Sequence, residues 1–196
     1  MRTRKDRRSM RLAVAMASST VLLAGTTFGA HTATALDQPG FDAQVRKAGL
    51  SSAQAEVLQA RVDAELDRFG GTQTAANEIR LPDGSELLLP LPGEAHARDL
   101  DAPARVRDQR APSSCGSYTF CAYSGTNFTG TVKRQRLCSE PISIVWNGPG
   151  SWSNNQSSGT RARMYNGSGR LIYTTPGAYS EDRNGDWTPV ARVDAC

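Results

Sequence analysis

Ser117-Tyr118-Thr119-Phe120-Cys121-Ala122-Tyr123 and Thr131-Val132-Lys133-Arg134-Gln135-Arg136-Leu137 flank the connector Ser124-Gly125-Thr126-Asn127-Phe128-Thr129-Gly130. Aromatic and β-branched residues on both sides of a Gly/Asn/Ser/Thr segment read as strand, tight connection, strand. The pattern continues downstream in Ile142–Trp146, Thr160–Tyr165, Arg170–Thr174 and Thr188–Val193, each set off by Gly, Asn, Ser or Pro. No helical period runs through this region. Short strands at such spacing predict an all-β sandwich or barrel over residues 115–196. Function is expected there too, because the region holds all 3 Trp and all 5 Tyr of the chain.

The cysteines also fall in this region, at Cys115, Cys121, Cys138 and Cys196. An even count in an exported chain reads as two disulfides, and the spacing alone leaves all three pairings open. A zinc site would need C-x2-C or closely spaced histidines, and the sequence has neither. In so small a domain each cross-link adds about 2–4 kcal/mol by restricting the unfolded chain.

Export is encoded at the N-terminus. Arg2, Arg4, Lys5, Arg7, Arg8 and Arg11 precede an apolar, small-residue run from Leu12 to about Ala30, which ends in Ala33-Thr34-Ala35. This is the layout of a signal peptide over residues 1–35, with cleavage after Ala35 and an extracellular product. Ser18, Ser19, Thr20 and Gly25 interrupt the run, which argues against a permanent anchor. No later segment is apolar enough to span a bilayer, so no stable membrane association is expected. The formal charge of +4 belongs to the signal, and the remainder sits near −1. The basic balance therefore does not argue for a nucleic-acid partner. Lys133, Arg134 and Arg136 alternate across a predicted strand and read as a solvated edge.

Residues 36–91 differ in kind. Ser51 and Gln54 form a capping-box signal with Leu50 before it, and Ala55, Leu58, Val62, Leu66 and Phe69 mark one helical face that Gly70-Gly71 ends. A hairpin follows: Glu78–Leu81, the turn Pro82-Asp83-Gly84-Ser85, then Glu86–Leu89. This helix-plus-hairpin segment reads as a pro-segment or accessory unit, marginal alone. Residues 92–114, rich in mixed charge and Pro, read as a flexible linker. The 115–196 domain carries 8 Lys/Arg against 5 Asp/Glu, and residues 36–112 carry 9 against 13. That complementarity favours association only weakly, since exposed charges are screened. Residues 113–196 are expected to fold without residues 36–112.

Candidate chemistry is limited. The 2 histidines are His31, in the signal, and His96, in the linker, so the domain lacks an imidazole base or nucleophile pair. Glu140, Glu181, Asp182, Asp186 and Asp194 are its only carboxylates. Three of them crowd into Glu181–Asp186, which reads as a solvated Asn-Gly turn rather than a glycosidase pair. Asp182-x-Asn184-x-Asp186 starts like a calcium loop, but Trp187 and Val193 stand where Gly and Glu are needed. Trp146, Trp152 and Trp187 read as core more readily than as a sugar-stacking platform.

One stretch carries a resemblance. Cys121–Gly130 resembles the opening of a βγ-crystallin Greek-key motif, with Tyr123, a second aromatic at Phe128 and glycine at Gly130. The hairpin folds onto itself there, so the glycine takes a backbone conformation that other residues resist. Ala111-Pro112-Ser113-Ser114-Cys115, the C-x5-C spacing and Tyr123–Thr126 are similar to the start of the βγ-crystallin-like secreted peptidase inhibitors of actinobacteria, which include metalloproteinase inhibitors. Gly150–Gln156 and Asp186–Val190 also match that family, and the likeness spans Ala111 to Cys196. A second half-motif starts at Tyr165, with Asn166-Gly167-Ser168-Gly169 as a shortened fold. The resemblance implies two Greek keys in one β-sandwich.

It implies function as well. The expected disulfides are Cys115–Cys121 and Cys138–Cys196. Cys115–Cys138 stays open, because a hairpin pairing Ala122 with Val132 sets those two roughly opposite. The family's protease-facing loop maps to Tyr173, Thr174, Thr175 and Pro176. The disulfide that stiffens this loop in metalloproteinase inhibitors of the family is missing here, and Pro176 is the available restraint. Leu171-Ile172-Tyr173 also reads as an ordinary strand with Tyr173 in the core. Calcium sites of crystallin relatives find only a poor counterpart in Asn147–Ser151, so no metal and no cofactor are expected. The combined expectation is a secreted, non-enzymatic inhibitor whose partner is a secreted protease. The alternatives are a module for cell-wall glycan, or a secreted antagonist restrained by residues 36–112.

Overall fold

The computed structural model describes residues 39–100, 112, 114–136, 138 and 140–196. The expected signal peptide, residues 1–35, and most of the expected linker beyond residue 100 lie outside the described residues. Among those described, no helix is long and apolar enough to cross a membrane.

The described residues are mostly β, with two antiparallel sheets and few helices. Helix α1 (Pro39–Lys47) leads into α2 (Ser52–Phe69). The capping box forms as expected: Ser51 Oγ accepts from the Gln54 N–H at 3.3 Å, and Gln54 Oε1 accepts from the Ser51 N–H at 3.0 Å. Ala55, Leu58 and Val62 are buried, and Leu66 and Phe69 pack at the margin of the same core.

Eleven strands follow among the described residues. They are β1 (Thr72–Ala75), β2 (Glu78–Arg80), β3 (Glu86–Leu88), β4 (Thr119–Tyr123), β5 (Val132–Gln135), β6 (Ile142–Ser143), β7 (Pro149–Asn155), β8 (Arg163–Tyr165), β9 (Leu171–Thr174), β10 (Ser180–Asp186) and β11 (Arg192–Asp194). The large sheet runs β1-β2-β3-β5-β4-β7-β10, and the small one runs β6-β11-β8-β9. In the large sheet Leu87, Lys133, Ala122 and Trp152 form one cross-strand row, and Leu88, Val132, Tyr123 and Ser151 form the next. Neighbouring rows face opposite sides of a sheet. Phe120, Ala122 and Trp152 accordingly pack with Ile142, Met164 and Val193 of the small sheet. Leu88, Val132 and Tyr123 form a separate cluster with Ala97 and Phe128. Leu87 joins Leu58 and Val62 under α2.

The expected hairpin is present as β2 and β3, but it is not a separate unit. Strand β3 pairs with β5 along Glu86–Arg134, Leu87–Lys133 and Leu88–Val132, so residues 39–91 and the cysteine-bearing region share one sheet. The expected linker is likewise held over its first residues. The Gly130 N–H donates to Ala95 O at 2.7 Å, Asn77 Nδ2 donates to Arg98 O at 3.0 Å, and Ala97 is fully buried.

Burial of charge corrects the basic-edge expectation. Strand β5 is internal, and Arg134, at 3 % side-chain exposure, contacts Glu78 at 2.6 Å, Glu86 at 2.9 Å and Asp99 at 2.9 Å. Burial alone would pull the guanidinium pKa down, but the three carboxylates outweigh it and hold the value up. Lys133 Nζ reaches Asp83 at 2.9 Å and Ser143 O at 3.2 Å. Glu78, Asp83, Glu86 and Asp99 thus neutralise Lys133 and Arg134 through largely buried contacts, which solvent ions screen far less than exposed ones.

Strands β1, β7 and β10 were not expected. The Glu181–Asp186 stretch is no turn: it lies in edge strand β10, with a register shift between Asp182 and Gly185. Its polar side chains fit because only one of its edges is paired. Strand β7 is polar too, yet Gly150 to Asn155 are all buried.

Candidate functional site

The predicted motif Tyr123, Phe128, Gly130 comes together. The Tyr123 and Phe128 rings meet edge to face at 5.2 Å. A single 3-10 turn covers Thr126–Phe128, with Asn127 at φ 53 and Phe128 at φ 63. Gly130 has φ +79, and a Cβ there would lie 2.2 Å from Ser124 Oγ. That hydroxyl is committed, since it accepts from the Thr131 N–H at 2.9 Å. Glycine at 130 is therefore required both by backbone conformation and by space. Ser151 of β7 closes the fold: its Oγ donates to Gly125 O at 2.6 Å and accepts from the Phe128 N–H at 2.9 Å.

Both disulfides implied by the resemblance form, Cys115–Cys121 and Cys138–Cys196, with Cα separations of 5.9 and 5.1 Å. The rival pairing rested on Ala122 opposite Val132. The register instead sets Tyr123 opposite Val132 and Ala122 opposite Lys133. Cross-links of this kind fit a protein of an oxidising compartment.

The loop residues divide into exposed and anchored. Tyr173 lies in β9, an edge of the small sheet, opposite Met164. It is 44 % exposed, so it is not a core residue, although its ring rests against Trp152 at 6.2 Å. Thr174 is exposed and Thr175 fully buried. Thr175 Oγ1 accepts from the Ala162 N–H at 2.9 Å and from Asn154 Nδ2 at 3.2 Å. The Thr175 N–H donates to Ala162 O at 2.9 Å. Asn154 Nδ2 and Ser180 Oγ also donate to Pro176 O, at 3.3 and 3.0 Å.

Asn154 and Ser151 are the residues that sequence reasoning missed. Together with Asn155, whose Nδ2 donates to Cys115 O at 3.1 Å, they make β7 a buried strand of polar side chains that tie down three connections. Their signal was the run Ser151-Trp152-Ser153-Asn154-Asn155. It alternates in no hydrophobic sense, but it places small hydrogen-bonding side chains on both faces.

The tryptophans are not a surface platform. Trp152 and Trp187 are 4 % and 2 % exposed, and Trp146 packs between the core under α2 and the core between the sheets. The Trp187 indole N–H donates to Tyr123 O at 2.7 Å. His96 Nδ1 faces Phe128 O at 3.0 Å. Tyr179 is pushed up to about 12 by burial and by its hydrogen bond to Glu181. Among the described residues no group of three or more His, Cys, Asp or Glu is arranged to hold a metal ion.

Comparison of the chain with protein-family models, with curated proteins and with solved structures gave no match. Fold and site define a class: a two-sheet, disulfide-bonded β domain carrying an anchored edge segment.

Proposed function

We propose that the chain is an exported, non-enzymatic proteinase inhibitor of the βγ-crystallin-like type, presenting Tyr173-Thr174 to a secreted protease, with metalloproteinases as the first class to test. The observation that carries this reading is the immobilised Thr175. The side chain immediately after the exposed pair is fully buried and hydrogen-bonded to Ala162 and Asn154. A segment held this way loses little freedom on binding, which is what a substrate-like inhibitor requires. Hydrogen bonding from β7 takes the place of the missing loop disulfide, and Pro176 contributes its carbonyl to the same anchor. The folded hairpin at Tyr123, Phe128 and Gly130 supports the Greek-key reading on which the family likeness rests. The cell-wall glycan alternative gains less support, because Trp152 and Trp187 are buried rather than displayed.

The test is inhibition of thermolysin-like and serine proteases by the oxidised protein. Burying an aromatic side chain in a protease subsite is worth roughly 1.5–3 kcal/mol. Tyr173→Ala should therefore weaken inhibition by about tenfold or more, with the melting temperature lowered by only a few degrees. Full inhibition by Tyr173→Ala, or none by the parent protein against either class, would refute the reading.

A further inference from the structure

Next to Tyr173, residues of both sheets line an open cavity of about 270 Å³. Its walls are apolar and aromatic. Trp152 and Tyr173 meet at a tilt of 53°, and Trp187 and Met164 also line the cavity. Asp182 and Asp186 line the same cavity from strand β10. Asp182 is the register partner of Trp152, which puts both side chains on one face of the sheet.

Neither carboxylate is in an ion pair among the described residues. Asp182 Oδ1 accepts from the Asn184 N–H at 2.9 Å, and Asp186 Oδ1 from the Thr188 N–H at 2.9 Å. The Thr188 hydroxyl and N–H also hold the Asp186 carboxyl below its ordinary range, so it stays charged. The neighbouring cation Arg183 is engaged elsewhere, with Glu181 at 2.8 Å and over the Phe128 ring at 4.7 Å.

We propose that this cavity is a binding site for an organic cation, an ammonium or guanidinium group on an apolar stem. The half-exposed Tyr173 ring, backed by the buried Trp152 and Trp187, attracts a cation through its quadrupole, and the two aspartates add net negative charge at the same place. A cavity of about 150 Å³ lined by apolar side chains already admits benzene, so the space here accommodates one ring with a short arm, or one long basic side chain. The cation comes either from a free amine or from a lysine or arginine of a partner chain. The proposal goes beyond inhibition, because it concerns the cavity behind Tyr173 and not the exposed segment.

Only Met164 lies beyond residue 16 among the 4 methionines, so its methyl group reports on the cavity wall once assigned with Met164→Leu. The first arm titrates 2-phenylethylammonium against 2-phenylethanol and phenylacetate, following the Met164 methyl shift and tryptophan fluorescence. The second arm titrates an acetylated, amidated Gly-Arg-Gly peptide against its citrulline counterpart. Saturable binding with the cation roughly fivefold to tenfold tighter than its neutral analogue is expected in at least one arm. That preference should vanish in the Asp182→Asn/Asp186→Asn protein, which keeps the apolar walls. The tighter arm identifies the source. Equal affinity for cation and neutral analogue, a preference that survives both substitutions, or no saturable shift in either arm would overturn the proposal. Protease inhibition by the same double variant, which leaves Tyr173 and Thr174 intact, tells a failure of this site from a failure of the inhibitor reading.

Discussion

Arg134→Ala removes the cation at the centre of the contact between residues 39–100 and the disulfide-bonded region. In the parent the guanidinium is buried among Glu78, Glu86 and Asp99, at side-chain exposures of 11 %, 13 % and 16 %. Deleting one partner of a buried ion pair costs roughly 3–5 kcal/mol, because the charge left behind stays desolvated. Here three carboxylates are left, and they repel one another. Urea unfolding near pH 7 should show a loss of that size in a single transition, since β3 and β5 belong to one sheet. The pH dependence has a definite sign. Glu78 already titrates above 4.5 in the parent because burial outweighs its attraction to Arg134. Without the guanidinium the Glu78 pKa rises further in the folded state and not in the unfolded one. The folded variant then binds more protons than the unfolded chain, so its stability falls as pH rises through that window and recovers as pH drops. The cost should be smaller at about pH 4 than near pH 7. A loss below about 1 kcal/mol, as for an exposed pair, or a loss equal at both pH values would refute the reasoning.

Other substitutions probe single contacts. Thr175→Val keeps the shape but strands the Ala162 N–H, while Asn154 Nδ2 keeps Thr160 O at 2.8 Å and Pro176 O at 3.3 Å; it should cost about 1–3 kcal/mol and weaken inhibition while Tyr173 is intact, and unchanged stability would remove the anchor argument. A Cβ at Gly150 would sit 2.0 Å from Trp187 Nε1 and 2.8 Å from Tyr123 O, so Gly150→Ala should destabilise by about 1–3 kcal/mol and shift tryptophan emission, whereas a silent substitution would mean Trp187 is free to move. Asp83 is held below 3.8: burial pushes it up, but Ser85 and Lys133 outweigh that, so its stabilisation is present above that value and lost as pH falls through the folded pKa. Asp83→Asn should flatten that acid limb of the stability curve, and an unaltered limb would count against the Lys133 contact. A chain lacking residues 36–112 loses β3 from the edge of β5 and Leu88 from beside Tyr123, so its urea midpoint should fall below the parent's; an equal midpoint would restore the autonomous-domain expectation.

What could be read in advance follows physical lines. Helix α2 was legible to the residue, because Ser51, Gln54 and the Ala55–Leu58–Val62 spacing are local signals. The β2–β3 hairpin was legible from its turn, and β4 and β5 from aromatic and β-branched content. Helix α1 and strands β1, β7 and β10 were not, since Thr72–Ala75, Pro149–Asn155 and Ser180–Asp186 show no hydrophobic alternation. The joining of β3 to β5 was illegible for another reason. It depends on which edge a short strand meets, and only the opposite charge of the two segments hinted at it.

The site divides in the same way. Tyr123, Phe128 and Gly130 were readable because a tight hairpin demands a glycine and repays aromatic cover. The anchor of the Tyr173 segment was not, because Asn154 lies far away in sequence and acts through hydrogen bonds that leave no periodic trace. Yet one strand serves both features. Ser151 closes the folded hairpin, Asn154, three residues later, fixes Thr175 and Pro176, and Asn155 holds the carbonyl of Cys115. A buried strand of polar side chains is costly unless each group is bonded. These groups hold at least three connections in register with one another, so the presented segment inherits the rigidity of the sheet. A shift of β7 by one residue would exchange its faces, releasing the hairpin and the Tyr173 segment together.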